Sequence, residues 1–183
     1  GQESLIGIRS PVLTGAGSCG AFQMAQDGVP LRGAGFCNVN QLFETNSEQA
    51  GGLEVVRGPG SVLFGVNALH GAINIISPDI TGESGSDLSI DAGPHQYGRF
   101  NAGLHASNGA NAWGLYFNGA SDGGYLDQSG FDQQKLNLQH HYDNGGVRFS
   151  TLVAGTNLNQ ETAGYLDHGR EAYKDGAFKE TNS

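Results

Sequence analysis

The sequence predicts a small α+β unit over residues 1 to about 80, followed by an antiparallel run of strands of the membrane-barrel type. Three observations carry this. A strand, glycine-rich turn, helical turn and second strand succeed one another between residues 53 and 76. Beyond residue 86 the pattern changes to period-two alternation in five successive segments. The connections between those segments are of uneven length.

In the first unit, residues 5–9 alternate like a strand and end at Ser10-Pro11. Residues 21–26 and 29–32 flank Asp27-Gly28, a dipeptide suited to a hairpin turn. A short helix is expected within residues 39–49, with Asn38 or Asn40 as its cap and Leu42 and Phe43 on its buried side. Residues 53–56 form a strand that stops at Arg57, because Pro59 fixes φ and the flanking Gly58 and Gly60 accept conformations closed to other residues. Ser61 is placed to cap a helical turn reaching Phe64, Gly65 to end it, and residues 72–76 to form a largely buried strand.

The glycines do not make a nucleotide site. A dinucleotide fingerprint needs a third glycine where Leu63 stands, and a long helix after it. A phosphate loop needs a lysine after Gly65, where the chain has Val66-Asn67. Nucleic acid is also excluded as a partner: 9 basic residues face 18 acidic ones, and no lysine precedes Lys135, so no basic stripe exists to neutralise phosphates. Residues 58–78 lack charge, but their glycines, prolines and polar residues rule out a membrane-spanning helix.

After a linker over residues 79–86, the alternating segments are 88–92, 100–106, 113–118, 135–142 and 147–154. Lys135, Asn137, Gln139 and His141 share one face of the fourth; Val147, Phe149, Thr151 and Val153 share one face of the fifth. The connections at 107–111 and 143–146 are short. Those at 121–133 and beyond about residue 156 are long and polar, the asymmetry of an outer-membrane barrel, although the connection at 93–98 is short for an outside loop. Trp113 and Tyr142 fall beside the short turns, where an aromatic girdle would sit. Five strands cannot close in a membrane without leaving unpaired backbone groups in hydrocarbon, so a fragment of a larger barrel is expected.

The run Leu53-Glu54-Val55-Val56-Arg57-Gly58-Pro59-Gly60-Ser61-Val62-Leu63-Phe64-Gly65 with Ala72-Ile73-Asn74-Ile75-Ile76 resembles the plug signature of TonB-dependent outer-membrane receptors. The Asp27-Gly28-Val29-Pro30 turn also resembles that family's usual plug hairpin, and Ile8-Arg9 stands where it often has Ile-Arg-Gly, with Ser10 replacing the glycine. The resemblance implies a partial plug over residues 1–80 and about the first five strands of a plugged, 22-stranded barrel over residues 81–183. It implies binding of a scarce nutrient, such as a ferric siderophore or similar chelate or a corrinoid, and import energised by TonB without covalent chemistry or a cofactor. The implied partners are TonB, outer-membrane lipid and the ligand, and the implied location is the bacterial outer membrane. No TonB box is recognisable before Leu5, so the coupling segment is expected outside this chain. Glu54 and Arg57, with the Gly58-Pro59-Gly60 turn, are expected to latch the plug to the barrel wall through charge-assisted hydrogen bonds. Ligand contacts are expected from loops, with residues 11–20 and 33–38 as candidates.

Cys19 and Cys37 lie in loop-like stretches without a nearby histidine in sequence, and two cysteines cannot complete a structural zinc site. A disulfide is the preferred reading, contributing about 3 kcal/mol in an oxidising compartment; the other is a pair of small buried thiols. His140 and His141 are adjacent, so in a strand they point to opposite faces and do not share an ion. His95, His105 and His168 are isolated and read as polar loop or lumen residues. No nucleophile elbow or recognisable carboxylate pair supports an enzyme. The alternative in another class, a secreted β-sandwich carbohydrate-binding or adhesion module, accounts for the alternation but not for the uncharged run at 58–78.

Overall fold

The computed structural model describes residues 22–31, 45–65, 68–125 and 129–161. Their strands form two sheets. The smaller contains β1 (Phe22–Gln26), β2 (Val29–Pro30), β3 (Gly52–Arg57) and β4 (Gly71–Ile76), in spatial order β2-β1-β4-β3. The larger contains β5 (Gly85–Ala92), β6 (Gly98–Asn108), β7 (Asn111–Asp122), β8 (Phe131–Asp143) and β9 (Arg148–Gln160), each paired antiparallel with the next.

In the small sheet, β4 is central, parallel to β1 and antiparallel to β3. Its β-branched run is buried on both faces, as its near-continuous apolar sequence predicts. Phe22, Met24 and Ile75 form the core, with Leu31, Ala50 and Ile73 packed against them. The Asp27-Gly28 hairpin is present, pairing Gln26 with Val29, and Asp27 adopts φ 48° as a mirror-image turn requires. Asp27 also reaches across to β4's exit: its carboxylate accepts hydrogen bonds from the Ser77 amide at 2.8 Å and hydroxyl at 2.6 Å.

Beyond β3, Gly58 takes φ 110°, and Gly60 donates to the Ala68 carbonyl at 2.8 Å. Gly60 itself does not have positive φ, and a methyl there would make only ordinary contacts at 3.5 Å. The helical turn α1 (Ser61–Phe64) starts at Ser61 instead of being capped by it; the Gly60 carbonyl accepts from Leu63 at 3.0 Å and Phe64 at 2.9 Å. Of the helix expected within 39–49, the described part is a single 3₁₀ turn over Ser47–Gln49. The strand expected at 5–9 lies outside the described residues.

All five long-sheet strands occur where alternation places them, but they run further. β7 extends to Asp122 and β8 begins at Phe131, so both ends of the polar stretch read as a loop over 121–133 are strand. The reason is that Gln133 faces inward and is buried: polarity here marks the covered side of a strand, not its end.

Paired residues share a face, so the registers resolve the long sheet into rows. One face carries Leu88, Ile90, Phe100, Leu104, Trp113, Leu115, Leu136, Leu138, Phe149 and Val153, all exposed. The opposite face carries Asn101, Asn118, Gln133, Lys135, Asn137 and Gln139, all buried. The small sheet and the 77–84 connection belong to the polar side. There Ile80 packs with Ala112 and Tyr116 over Gly114. A Cβ at Gly114 would stand 2.7 Å from Ile80 Cγ2 and 2.9 Å from the Tyr116 ring.

Two outcomes are expected. Gly114→Val should destabilise the folded protein by about 1–3 kcal/mol through overpacking, measured by urea unfolding in detergent. In the same connection, Thr81 donates its amide and hydroxyl to Asp79 Oδ1 at 2.8 and 2.7 Å and holds that carboxyl below its ordinary pKa. A depressed folded pKa contributes stability present above the unfolded value and lost as pH falls through the folded one, so the protection of the Thr81 amide, its exchange rate relative to the intrinsic rate at each pH, should fall in acid, and Asp79→Ala should abolish that dependence.

Candidate functional site

The long sheet's polar face is organised as cross-strand rows. In the central row Ser89, Asn101, Asn118 and Lys135 stand side by side on β5 to β8. Asn118 donates to Asn101 Oδ1 at 2.5 Å, and Asn101 donates to Ser89 Oγ at 2.9 Å. Lys135, only 1% exposed, donates to both carboxylate oxygens of Glu48, at 2.9 and 3.1 Å. Glu48 lies in the Ser47–Gln49 turn, so this pair joins the segment preceding β3 to the sheet wall. Beside it Gln49 donates to the Ala102 carbonyl at 3.0 Å, oriented by Asn46, which donates to Gln49 Oε1 at 2.7 Å. Removing an ammonium from water costs several kcal/mol, which only a close, hydrogen-bonded counter-ion offsets.

The docked segment leaves a polar chamber of about 330 Å³ lined by Glu48, Asp79, Asp87, Asn101, His105 and Tyr116. A second groove of about 780 Å³ runs between the Asp27 hairpin and β8–β9, past Ser77, Gln139 and His141. The smaller mixes polar and apolar walls, whereas Val29, Leu31, Pro78, Ile80, Leu152 and Ala154 make the larger mainly apolar.

Glu54 is exposed and accepts from Asn74 Nδ2 at 2.9 Å; Asn74 Oδ1 in turn accepts the Gly28 amide at 2.9 Å. Asn74 therefore ties three strands of the small sheet, a role its place in the signature did not reveal. Arg57 ends β3, exposed, and Gly58, Pro59 and Gly60 form the turn after it. The ion pair that the described residues make with the long sheet is Glu48–Lys135, which the sequence reading missed. A lysine in mid-strand, on the face that also carries Asn137 and Gln139, was the available signal, since a buried ammonium requires a carboxylate.

His140 and His141 do face opposite sides. His141 Nδ1 is 2.9 Å from Ser150 Oγ, while the His140 ring stacks on Trp113 with centroids 3.9 Å apart. His105 Nε2 is 2.8 Å from the Glu83 carbonyl oxygen, and His95 sits in the turn after β5 with its ring 6.5 Å from that of Tyr125. Cys19, Cys37, His168 and the candidate ligand loops at 11–20 and 33–38 lie outside the described residues.

Breaking the Glu48–Lys135 pair should be asymmetric. Glu48→Ala strands a buried cation and should cost about 3–5 kcal/mol, whereas Lys135→Met with Glu48→Leu should recover most of that loss. A double-mutant cycle by denaturant unfolding measures both.

No protein-family model matches the chain, and no curated protein sequence matches it. Solved structures do. The pyoverdine outer membrane receptor FpvA of Pseudomonas aeruginosa PAO1, bound to pyoverdine, superposes with a TM-score of 0.64 at 17% identity, covering 73% of this chain and 20% of that one. The copper transporter OprC gives a TM-score of 0.65 at 18% identity, covering 77% and 23%. The siderophore receptor PiuA of Acinetobacter baumannii gives 0.53 at 19% identity, covering 66% and 16%. The chain thus spans about a fifth of the length of the structures it matches, which are receptors and a transporter, not enzymes. Over the matched part, the chain has a TonB-dependent-receptor-like fold.

Proposed function

We propose that this chain is part of a TonB-dependent outer-membrane transporter. Residues 1–80 contribute the later part of the plug and residues 81–183 the first five strands of the barrel with their loops. The whole protein takes up a scarce nutrient, a ferric siderophore, a similar metal chelate or a corrinoid, with energy delivered by TonB through a segment outside this chain.

The single observation that carries this reading is the inverted polarity of the long sheet. Its covered face is polar and its bare face apolar, the reverse of a β-sandwich, which buries its apolar face against a second sheet. Strands β6 to β9 are 11, 12, 13 and 13 residues long, enough for the about 9–11 residues a tilted strand needs to cross hydrocarbon. No helix among the described residues is long and apolar enough to cross a membrane. The bare face is also graded. The row nearest the two-residue turn is Asn108, Asn111, Tyr142 and Phe149; then come Ala106, Trp113, His140 and Thr151; then Leu104, Leu115, Leu138 and Val153. Two rows that mix polar and aromatic residues followed by an aliphatic row is the order of a membrane interface.

In this reading the substrate passes on the polar side, and Glu48–Lys135 holds the plug segment against the wall. Glu54 and Arg57, exposed on the edge strand β3, are assigned as a second latch toward the barrel strands that lie beyond this chain. Siderophore and copper substrates of the similar structures support a metal or metal-chelate cargo.

Two measurements test the proposal. The full gene product should fractionate with the outer membrane, and its substrate uptake should stop with a protonophore or with loss of TonB; a water-soluble product would overturn it. Leu138→Arg, on the bare face, should cost about 2–4 kcal/mol and reduce assembled protein, whereas Asn137→Ser, one residue away on the covered face, should assemble normally.

A further inference from the structure

On the bare face of the long sheet, a groove of about 350 Å³ runs between Leu104, Leu115, Leu138 and Val153, with Ala106 narrowing none of it. Its walls are almost wholly apolar, but on the side toward the short turns it is bounded by Trp113 and His140 of the next row. These rings stack at 3.9 Å with an interplanar angle of 25°, and His140 Nε2 lies 3.2 Å from Asn111 Oδ1. Asn111, Trp113 and His140 are therefore one contiguous cluster. The carbonyl oxygen of Asn111 is engaged by His140, which leaves its amide N–H groups, and the Trp113 indole N–H, without a protein partner among the described residues. Although the chain carries a net charge of −9, no Asp, Glu, Lys or Arg stands on this face between the Asn111 row and the Phe100 row. An anion approaching the cluster meets donors and no carboxylate on that face.

We propose that this notch binds one membrane phospholipid, with an acyl chain along the Leu104–Val153 groove and the phosphate accepting hydrogen bonds from the Asn111 amide and the Trp113 indole. This rests on the lipid-facing assignment of the same sheet face. A phospholipid is the occupant because the site joins, in one direction, uncharged hydrogen-bond donors to an uninterrupted aliphatic trough. A protein partner would leave that trough's level in hydrocarbon, and a free phosphate would leave the trough unused. The short-turn end of the sheet would thus hold a fixed lipid in addition to a general aromatic belt.

The test uses the whole receptor that contains this chain, in mild detergent, with palmitoyl-oleoyl phosphatidylglycerol and palmitoyl-oleoyl glycerol as probes, counted by native mass spectrometry. Trp113→Phe combined with Asn111→Leu keeps the apolar surface and removes the donors; it should lower retained phosphatidylglycerol about tenfold and leave the phosphate-free glyceride unchanged. Ala106→Trp, which fills the groove from an exposed position, should lower both. Equal retention of the two probes by the wild type, or equal phosphatidylglycerol on wild type and variants that still show heat-modifiable migration, overturns the proposal. Val153→Cys separates this failure from that of the underlying reading. Protection of that thiol from a water-soluble maleimide in membranes, with no selective lipid retention, rejects the notch alone, whereas ready labelling rejects the lipid-facing assignment and the notch with it.

Discussion

A sheet with its polar face covered and its apolar face bare is stable only where the bare face does not meet water. Each of Leu104, Leu115, Leu138 and Val153 would sacrifice on the order of 1 kcal/mol or more of burial by standing in water, while Asn118 and Lys135 stay buried on the other side. In a bilayer both terms change sign of consequence: the outer residues replace no hydrogen bonds, and the inner ones find partners in one another and in the segment seated on them. The antiparallel ladder from β5 to β9 satisfies the backbone within the sheet, and only its two edges ask for further strands.

That constraint explains why the polar face is cross-linked rather than merely hydrophilic. Ser89, Asn101 and Asn118 chain together along one row, and Lys135 continues the row with a charge that needs an answer from outside the sheet. Glu48 supplies it. A neutral residue at either position would leave packing to decide how the Ser47–Gln49 turn sits, whereas two hydrogen bonds from one ammonium to one carboxylate fix both its distance and its orientation. At 25% side-chain exposure Glu48 keeps part of its hydration, so the contact is less costly to form and to open than a fully enclosed pair would be.

Much of this was legible in the residues. Period-two alternation located all five long strands because each strand's two faces differ so sharply in polarity, and the β3–turn–β4 signature located the central strand of the small sheet and its edge neighbour because Gly58 and Pro59 leave the backbone few alternatives. Strand ends were not legible. Gln133 has the composition of a loop, and only the knowledge that the covered face is polar turns it into strand; Asp132 and Gln134 flank it on the exposed face. The Glu48–Lys135 contact was invisible for a different reason: its partners are 87 residues apart, and nothing local in either segment names the other. Asn74 was visible as part of the signature, but its bond to Gly28 follows from the parallel β1–β4 pairing and its bond to Glu54 from the antiparallel β3–β4 register, neither of which periodicity encodes.

The same polarity argument fixes which differences from the similar structures carry functional weight. At 17–19% identity, shared fold is maintained by pattern: outward apolar, inward polar, and turn glycines where the backbone demands them. Inward positions are free to exchange one hydrogen-bonding group for another so long as partners follow, which is how a row of Ser89, Asn101, Asn118 and Lys135 can be particular to this chain without altering its architecture. On the transporter reading proposed above, cargo specificity resides in those inward groups and in the loops above them, while the outward face answers to the membrane. A substitution on the bare face disturbs the apolar rows; one on the covered face disturbs the hydrogen-bonded row from Ser89 to Lys135 and the seating of the Ser47–Gln49 turn upon it.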